Sequence, residues 1–451
     1  MTPLTVEQLR VDVEAGRTDT VLLSLTDLQG RLSGKRLHAP FFVDEVLAHG
    51  SEACSYLLAV DVDMNTVGGY AISSWESGYG DVVLKPDLDT LRPVPWQEGT
   101  VSVLADVEWE DGSPVAQSPR QILRRQLDRL AERGLRAYAG TELEFLVFRD
   151  TYEQAWTSGY RDLTPANLYN VDYSMIGTAR IEPLLRRIRL AMAGAGLTVE
   201  SAKGECNLGQ HEIAFRYAEA LRTCDDHVLY KTAAKEIAAQ EGMALTFMAK
   251  YDQREGNSCH IHLSVRGADD DAPVMAGDGE HGFSPLMEHW LAGQLASLRE
   301  LTLLFAPNIN SYKRFAPGSF APTAVRWGRD NRTCALRVVG RGQSLRVENR
   351  VPGGDVNPYF AVAGIVAAGL RGIEEELPLE AAFPGNAYLD DGPRVPETLQ
   401  EALQLWESSE LALAAFGPEV VEHYANTARV ELAAFGSAVT DWERYRGFER
   451  L

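Results

Sequence analysis

The stretch TELEFLVF, residues 141–148, places two glutamates one residue apart inside an otherwise apolar segment. In a β-strand, side chains alternate between two faces, so Glu142 and Glu144 would lie on the same face. Leu143 and Phe145 would then point the other way, into a hydrophobic core. Two like charges next to a core are costly, so the segment predicts a partner that compensates them.

Four further segments carry acidic, imidazole or guanidinium side chains in comparable patterns. Each places these groups on one side of a predicted strand or turn. The segments are GECNLGQHEIAFRY (204–217, with Glu205 and Glu212 around a turn), GNSCHIHLSV (256–265, with His260 and His262), WGRDNRTCALRV (327–338, with Arg329, Arg332 and Arg337) and SLRVENRV (344–351, with Arg346, Glu348 and Arg350).

This collection of side chains suggests a chemistry. Carboxylates with an occasional imidazole suit Mg²⁺ or Mn²⁺ better than zinc. Arginines among them are suited to binding phosphate and substrate carboxylate. Divalent cations, phosphates and arginines together are typical of phosphoryl transfer. Each segment alone is more often a solvated strand face or a ladder of ion pairs, and the set alone is also compatible with a guanidino kinase. The sequence has no GxxxxGK[ST] motif, which excludes a P-loop enzyme.

Composition narrows the class of protein. The chain has 451 residues, 45% of them apolar, and a net charge of −21, which disfavours nucleic acid as a partner. The five cysteines are scattered without a CxxC pair, so we expect a reducing, cytoplasmic environment. We expect no signal segment at the N-terminus and no transmembrane helix.

Periodicity and turn signals predict an α+β fold with a β-rich N-terminal part. Two strands are expected around a turn at 29–30, and a further strand over 53–64. A helix is expected from Pro119 to about Gly134. Further strands are predicted at 135–148, 209–217, 244–251, 259–266, 334–340 and 345–351.

The order of these motifs resembles that of the glutamine synthetase family. The match takes in TELEF, GECNLGQHE, GNSCHIH, NSYKRFAPGSFAP (310–322), WGRDNRTCALRV and RVENRVPGGDVNPY (346–359). The resemblance implies an N-terminal β-grasp domain at 1–112 and, at 113–451, a catalytic domain with a curved antiparallel sheet and flanking helices. It also implies six-membered rings, commonly stacked as a homo-dodecamer, with active sites between subunits.

The resemblance further implies a two-step reaction. Glutamate attacks the γ-phosphate of ATP to give γ-glutamyl phosphate, and an amine then displaces phosphate. It implies two to three Mg²⁺ or Mn²⁺ ions: Glu144, Glu205 and Glu212 match ligands of the first, and Glu142, His260 and Glu348 match ligands of the second. Adjacent glutamates on one strand would then serve neighbouring cations.

The remaining family positions concern the substrates. Arg314, Arg332 and Arg350 match groups that hold glutamate and the transferred phosphoryl group, and Gly256 matches a glutamate-binding backbone position. The positions that match ATP contacts are Arg337, Arg346, His262, Ser264, Glu200 and Tyr217.

Two positions depart from glutamine synthetases that use ammonium. Phe320 stands where those enzymes carry a flap glutamate that deprotonates ammonium, and Glu255 replaces a glutamate-binding asparagine. Asp63 aligns loosely with an ammonium-site aspartate that a neighbouring subunit donates. These features resemble the branch of the family that joins glutamate to organic amines.

The sequence leaves the amine open between two classes. The flap offers no acid for the second charge of a polyamine, while Ser319 offers a hydrogen bond to a hydroxyl, so we expect ethanolamine as the amine. Polyamines such as putrescine, ammonium itself, and a pseudo-enzyme without activity are the alternatives. The six matching metal positions are intact, which disfavours the last.

Overall fold

The computed structural model describes residues 4–451 and has two β-sheets. Its strands are β1 Thr20–Thr26, β2 Leu32–His38, β3 Ser51–Cys54, β4 Asp81–Pro86, β5 Arg92–Pro93, β6 Thr100–Glu108, β7 Leu135–Phe148, β8 Val199–Gly204, β9 Gln210–Phe215, β10 Ala218–Glu219, β11 Ala244–Thr246, β12 Cys259–Gly267, β13 Trp327–Arg329, β14 Leu336–Val339 and β15 Arg346–Asn349.

Helices are interspersed with these strands and dominate the last hundred residues. They are α1 Val6–Glu14, α2 Ala39–Phe41, α3 Leu47–His49, α4 Pro119–Ala131, α5 Tyr152–Thr157, α6 Met175–Thr178, α7 Glu182–Gly194, α8 Ala220–Gln240, α9 Pro285–Ser297, α10 Thr302–Phe305, α11 Pro358–Glu374, α12 Leu399–Glu407, α13 Glu410–Phe416, α14 Pro418–Ser437 and α15 Asp441–Gly447.

The first sheet contains six strands in the order β2-β1-β6-β4-β3, with β5 on β6. The predicted β1–β2 hairpin forms, and Gly30 adopts φ +75° in its turn. The strand expected over 53–64 is wrong, because β3 ends at Cys54 and a short 3-10 helix follows. Cys54 pairs with Asp81, the first residue of β4, so the chain beyond Cys54 has no strand to pair with.

The second sheet contains nine strands, in the order β13-β14-β15-β12-β7-β9-β8, with β10 and β11 also on β7. It is antiparallel except for the edge pair β13–β14. Most strands predicted from the sequence form close to their expected bounds, but the one predicted over 244–251 ends at Thr246. The long central strand β7 carries both glutamates of the TELEF segment, so its neighbours determine what these glutamates meet.

Each sheet packs against its own hydrophobic core. One buried cluster runs from Leu9 to Val115, and a larger one joins the second sheet to α4, α8, α9 and α11. Within residues 4–451, no helix combines the length and apolar character needed to cross a membrane. The fold is therefore α+β, as expected, with the charged face of the second sheet turned away from its core.

Candidate active site

The strand register aligns the charged residues across the second sheet. Side chains directly opposite one another on neighbouring strands lie close together on the same face. The pairs, from one side of the sheet to the other, are Glu212 with Glu144, Glu142 with His260, His262 with Glu348, and Glu348 with Arg337. Segments far apart in sequence thus form one row.

A first group of carboxylates lies where β7, β8 and β9 meet. One oxygen from each of Glu144, Glu205 and Glu212 falls within 4.8 Å of the others. Lys203, which pairs with Glu212 across the ladder, contacts Glu205 and lies 3.9 Å from Glu212. Burial raises the pKa of Glu212 to about 8, and the charges of Glu142 and Glu144 add to this effect. The group therefore has more negative charge than Lys203 neutralises.

A second group lies next to it, around β12 and β15. Ligand atoms of Glu142, His262 and Glu348 fall within 4.8 Å of one another. His260 Nδ1 lies 3.2 Å from Glu142 Oε2 and 3.4 Å from Glu348 Oε1. Burial raises the pKa of Glu142, but hydrogen bonds from His260 and His262 outweigh it and hold that pKa below its usual value. Both histidines thus lie within reach of the same two carboxylates.

These two groups fit divalent metal ions. Their donors are mainly carboxylate oxygens, which Mg²⁺ and Mn²⁺ prefer. Burial is the main cause of the raised pKa of Glu212, with neighbouring carboxylates adding to it, and a cation in the first group would favour the charged form of this side chain. The residues present could therefore hold two ions side by side, one in each group.

A cavity of about 470 Å³ opens on one side of Glu142. It is lined by five of the six residues that the sequence suggested for ATP: Glu200, Tyr217, His262, Ser264 and Arg346. The sixth, Arg337, lines the neighbouring pocket. The volume suits a ligand the size of a nucleotide.

Tyr138 and Arg266 are among the residues of this cavity that sequence reasoning missed. The Arg266 guanidinium lies 5.2 Å from the ring centre of Tyr138 and 5.9 Å from that of Tyr217. Period-two alternation could have found Tyr138, because it precedes Glu142 by four positions on the same strand face. The two rings are nearly perpendicular, with an interplanar angle of 83°, and the guanidinium lies near both.

The second pocket, of about 240 Å³, lies on the other side of Glu142. It contains the predicted residues Gly256, Glu255, Arg314, Arg332, Arg350, Ser319 and Phe320, together with the first carboxylate group and His260. It also contains residues that were not suggested from the sequence, among them Asp172, Tyr173, Lys203 and Cys206. Asp172 and Tyr173 lie outside all of the charged motifs of the sequence, so only the tertiary fold brings them to the pocket.

Two of the arginines in this pocket are buried. Arg314 donates hydrogen bonds to the backbone carbonyls of Arg350, Val351 and Pro352, and burial lowers its pKa to about 10. Arg350 forms an ion pair with Glu348 and donates a hydrogen bond to the carbonyl of Phe320, at 3.3 Å. Arg350 thereby connects the second carboxylate group to the flap segment.

Phe320 and Asp63 differ in their placement. Phe320 is 55% exposed at the pocket mouth, with its backbone in the left-handed region at φ +57°. Asp63 lies outside both pockets, on an exposed loop near Glu431. Any role of Asp63 in catalysis therefore depends on a neighbouring subunit.

Comparisons with known proteins agree with this geometry. The family model of the glutamine synthetase catalytic domain matches residues 116–446. The chain is 68% identical over 449 residues to a gamma-glutamylethanolamide synthetase of Streptomyces coelicolor, covering 100% of this chain and 96% of that protein. It is 36% identical over 445 residues to a glutamate–isopropylamine ligase of a Pseudomonas species, covering 97% of each.

Among solved structures, one of a GmaS/ADP complex matches with a TM-score of 0.86 and 28% identity, covering 100% of both chains. A structure of GmaS without ligand matches with a TM-score of 0.84, also at 28% identity, over 97% of this chain and 98% of the other. The match to the family model and the full-length similarity to curated relatives lead to one conclusion: this chain belongs to the glutamine synthetase family.

Proposed function

We propose that this protein joins glutamate to a small organic amine at the expense of ATP, through γ-glutamyl phosphate, and that the amine is ethanolamine. The position of Glu142 is the main observation in support of this type of reaction. It forms a wall shared by a nucleotide-sized cavity and a pocket of carboxylates and arginines. Such an arrangement would set the γ-phosphate of ATP against a bound carboxylate.

The six proposed metal ligands divide between two ions. Glu144, Glu205 and Glu212 would hold the first, and Glu142, His260 and Glu348 the second, with His262 within reach of the same carboxylates. When bound, Mg²⁺ or Mn²⁺ would neutralise charge on the phosphates and on the substrate carboxylate. A third ion remains part of the proposal from the family resemblance.

The other polar residues of the two pockets would bind the substrates ATP and glutamate. Glu200, Tyr217, His262, Ser264, Arg337 and Arg346 would hold ATP. Buried Arg350, buried Arg314 and exposed Arg332 would hold glutamate and the phosphoryl group, with Gly256 and Glu255 beside them. Because guanidinium groups remain charged, they stabilise phosphoryl oxygens throughout the transfer.

Phe320 supports an organic amine rather than ammonium. It offers an apolar surface for methylene groups and no carboxylate that could take a proton from ammonium. The full-length similarity to a gamma-glutamylethanolamide synthetase supports ethanolamine in particular. The hydroxyl end of ethanolamine is neutral. The hydroxyl of Ser319, which lines the same pocket, could form a hydrogen bond with it.

One observation favours a polyamine as the second candidate. Asp172 and Glu255 both line the pocket, and neither forms an ion pair within residues 4–451. A carboxylate of this kind could bind the second ammonium group of putrescine, which an apolar pocket alone would leave unpaired at a cost. The two carboxylates thus offer the negative charge that the flap segment lacks.

The assembly is part of the same proposal. We place the boundary between the β-grasp and catalytic domains at 112/113 and expect a homo-dodecamer of two rings. Several large apolar side chains are strongly exposed in the single chain, including Trp75 (82%), Met175 (85%) and Ile176 (78%). Exposed groups of this size support burial between subunits.

A panel of amines tests the reaction. Purified protein with glutamate, ATP and Mg²⁺ is assayed for phosphate release and γ-glutamyl product with ethanolamine, putrescine, isopropylamine and ammonium. We expect the highest kcat/KM with ethanolamine. Faster product formation from ammonium than from any organic amine would refute the proposal and identify an ordinary glutamine synthetase.

A matched pair of variants tests the metal ligands. Glu144→Gln keeps the shape of the side chain but removes its charge, so Mn²⁺ affinity measured by calorimetry should fall about 10- to 100-fold or more. Activity should fall with it. Glu110→Gln, an exposed change elsewhere on the chain, serves as the control. Unchanged Mn²⁺ binding in Glu144→Gln would exclude this carboxylate as a ligand.

A further inference from the structure

The flap segment, residues 314–323, adopts a conformation that its own sequence does not favour. Phe320 has φ +57°, a left-handed region that is unfavourable for a residue with a side chain. A residue holds such a conformation only when its surroundings impose it. Because Phe320 is 55% exposed, packing of its ring cannot supply the whole constraint.

Two hydrogen bonds from outside the flap hold the backbone at this point. Arg350 donates to the carbonyl of Phe320 at 3.3 Å, and the hydroxyl of Tyr388 donates to the carbonyl of Ala321 at 3.1 Å. Ala321 itself is only 1% exposed, so its carbonyl is held at the buried end of the turn. Tyr388 is therefore one of two side chains outside the flap that hold the backbone on either side of the bond between Phe320 and Ala321.

Tyr388 belongs to a segment, residues 383–389, that is anchored to a second part of the site. The side chain of Asn331 donates to the carbonyls of Phe383, at 3.3 Å, and Gly385, at 2.7 Å. The backbone N–H of Ala387 donates to Thr333 Oγ1 at 2.9 Å. Asn331 and Thr333 flank Arg332, so this segment, which we call the brace, connects the turn that carries Arg332 to the flap that carries Phe320.

We infer that Tyr388 is a positioning residue for the amine: through Ala321 it holds Phe320 at the mouth of the pocket and so determines how well the amine binds. The inference rests on the proposed function, since it assigns the pocket beside Phe320 to the amine. Tyr388 is not among the residues that line either pocket, so it acts through the flap and not by touching the substrate.

The first test separates the amine from the other substrates. Tyr388→Phe removes only the hydroxyl, and we expect the KM for ethanolamine to rise about three- to tenfold, the equivalent of one hydrogen bond. The KM values for ATP and glutamate should stay within about twofold. An equal rise for all three substrates would indicate general damage and overturn the inference, as would an unchanged amine KM.

A matched control comes from another tyrosine. The hydroxyl of Tyr152 also donates to a backbone carbonyl, that of Leu245 at 2.9 Å, but it contacts neither the flap nor the brace. Tyr152→Phe should leave the amine KM unchanged. A rise in this control equal to that of Tyr388→Phe would show that loss of any such hydroxyl has the same effect.

A double-mutant cycle tests whether Tyr388 acts through Phe320. In a Phe320→Ala background there is no ring to position, so adding Tyr388→Phe should change the amine KM by less than about twofold. The same three- to tenfold rise in both backgrounds would mean that Tyr388 acts by another route, and the inference would fail.

Hydrogen exchange supplies a measurement that does not depend on the reaction. Tyr388→Phe should speed amide exchange in the peptide covering residues 314–323, and Tyr152→Phe should not. Unchanged exchange in that peptide would overturn the positioning role. If the wild-type protein makes no amide from any amine, the proposed function fails, whereas this measurement still tests whether Tyr388 orders the flap.

Discussion

At the scale of single residues, Phe320 is the side chain from which we infer the class of amine. An amine must lose a proton before it attacks, and Phe320 provides no acceptor for that proton. In the proposed amine site its ring would exclude water from an alkylammonium group, which would lower the pKa of the amine. Each methylene that an amine buries there contributes about 0.8 kcal/mol, a gain that ammonium cannot make.

Replacing this side chain should therefore change the preferred amine. Phe320→Glu supplies a carboxylate at the pocket mouth, so we expect kcat/KM with ammonium to rise at least about tenfold, short of the 10²–10⁴ of a perfectly placed base. The value with ethanolamine should fall. Steady-state kinetics with both amines provide the measurement.

Phe320→Gln is the control for that change, because glutamine has the shape of glutamate without its charge. It should lose ethanolamine activity and gain none with ammonium. If Gln and Glu at this position give the same ammonium activity, the carboxylate does not act as a proton acceptor there.

At the scale of elements, the β8–β9 hairpin brings two carboxylates to one point. Glu205 lies just before its turn and Glu212 on its second strand, and Gly209 closes the turn with φ +74°. A Cβ added at Gly209 would lie 2.5 Å from the carbonyl oxygen of Val147 on β7. Position 209 must therefore be a glycine, because only then can the hairpin approach β7 closely enough to form the first carboxylate group.

Gly209→Ala should consequently lower both the midpoint of thermal unfolding and the affinity for Mn²⁺. The left-handed backbone alone costs about 1–2 kcal/mol, and the clash with Val147 adds to it. Gly112→Ala is the matched control, since Gly112 has φ +82° but no atom within 4 Å of the added Cβ. It should lower the midpoint less and leave Mn²⁺ binding intact; equal losses of metal affinity would contradict this account.

At the scale of the whole molecule, the N-terminal part docks on the helical C-terminal part through buried polar contacts. Asn357 donates to the carbonyls of Asp27 and Leu28, and His423 on α14 lies 2.7 Å from the carbonyl of Leu58. Burial lowers the pKa of His423 to about 4, so the folded protein keeps this imidazole neutral. Burial, and not the contact with Leu58, disfavours the charged form, because the hydrogen bond to that carbonyl raises the pKa.

The burial of His423 predicts a pH dependence of stability. His423 takes up a proton near pH 6.5 when unfolded but only near pH 4 when folded, so its contribution is complete above about pH 6.5. It is lost progressively as the pH falls from 6.5 to 4, by up to about 3 kcal/mol. His423→Gln, which does not titrate, should become more stable relative to wild type over that range. If the free energy of unfolding changes with pH equally in the two proteins, His423 does not cause this pH dependence.

The proposed assembly makes a prediction at the same scale. If Asp63 completes the site of a neighbouring subunit, Asp63→Ala and Arg350→Ala chains should each be inactive alone. Mixed rings would contain some sites with both residues intact, so co-expression should restore part of the activity. A fully active monomer, or no recovery in rings shown to be mixed, would argue against a shared site.

Local sequence pattern was enough to predict which acidic and histidine side chains share a face of one strand. Alternation along β7, β12 and β15 depends only on the two-residue period of a strand, so the shared face of Glu142 with Glu144 and of His260 with His262 was predictable. The turn before Glu212 was predictable from its glycine. The order of the motifs was enough to suggest the family and, through Phe320, an organic amine.

Which strands are neighbours, and therefore which groups meet, could be seen only in the fold. The pairing of Glu212 with Glu144, the arrival of Asp172 and Tyr173 at the pocket, and the contact of Tyr388 with the flap join segments with no local pattern in common. The strand expected beyond Cys54 failed for the same reason, since a β-propensity is realised only where a partner strand continues. Local periodicity specifies the face on which a side chain lies, whereas long-range pairing specifies what that face meets.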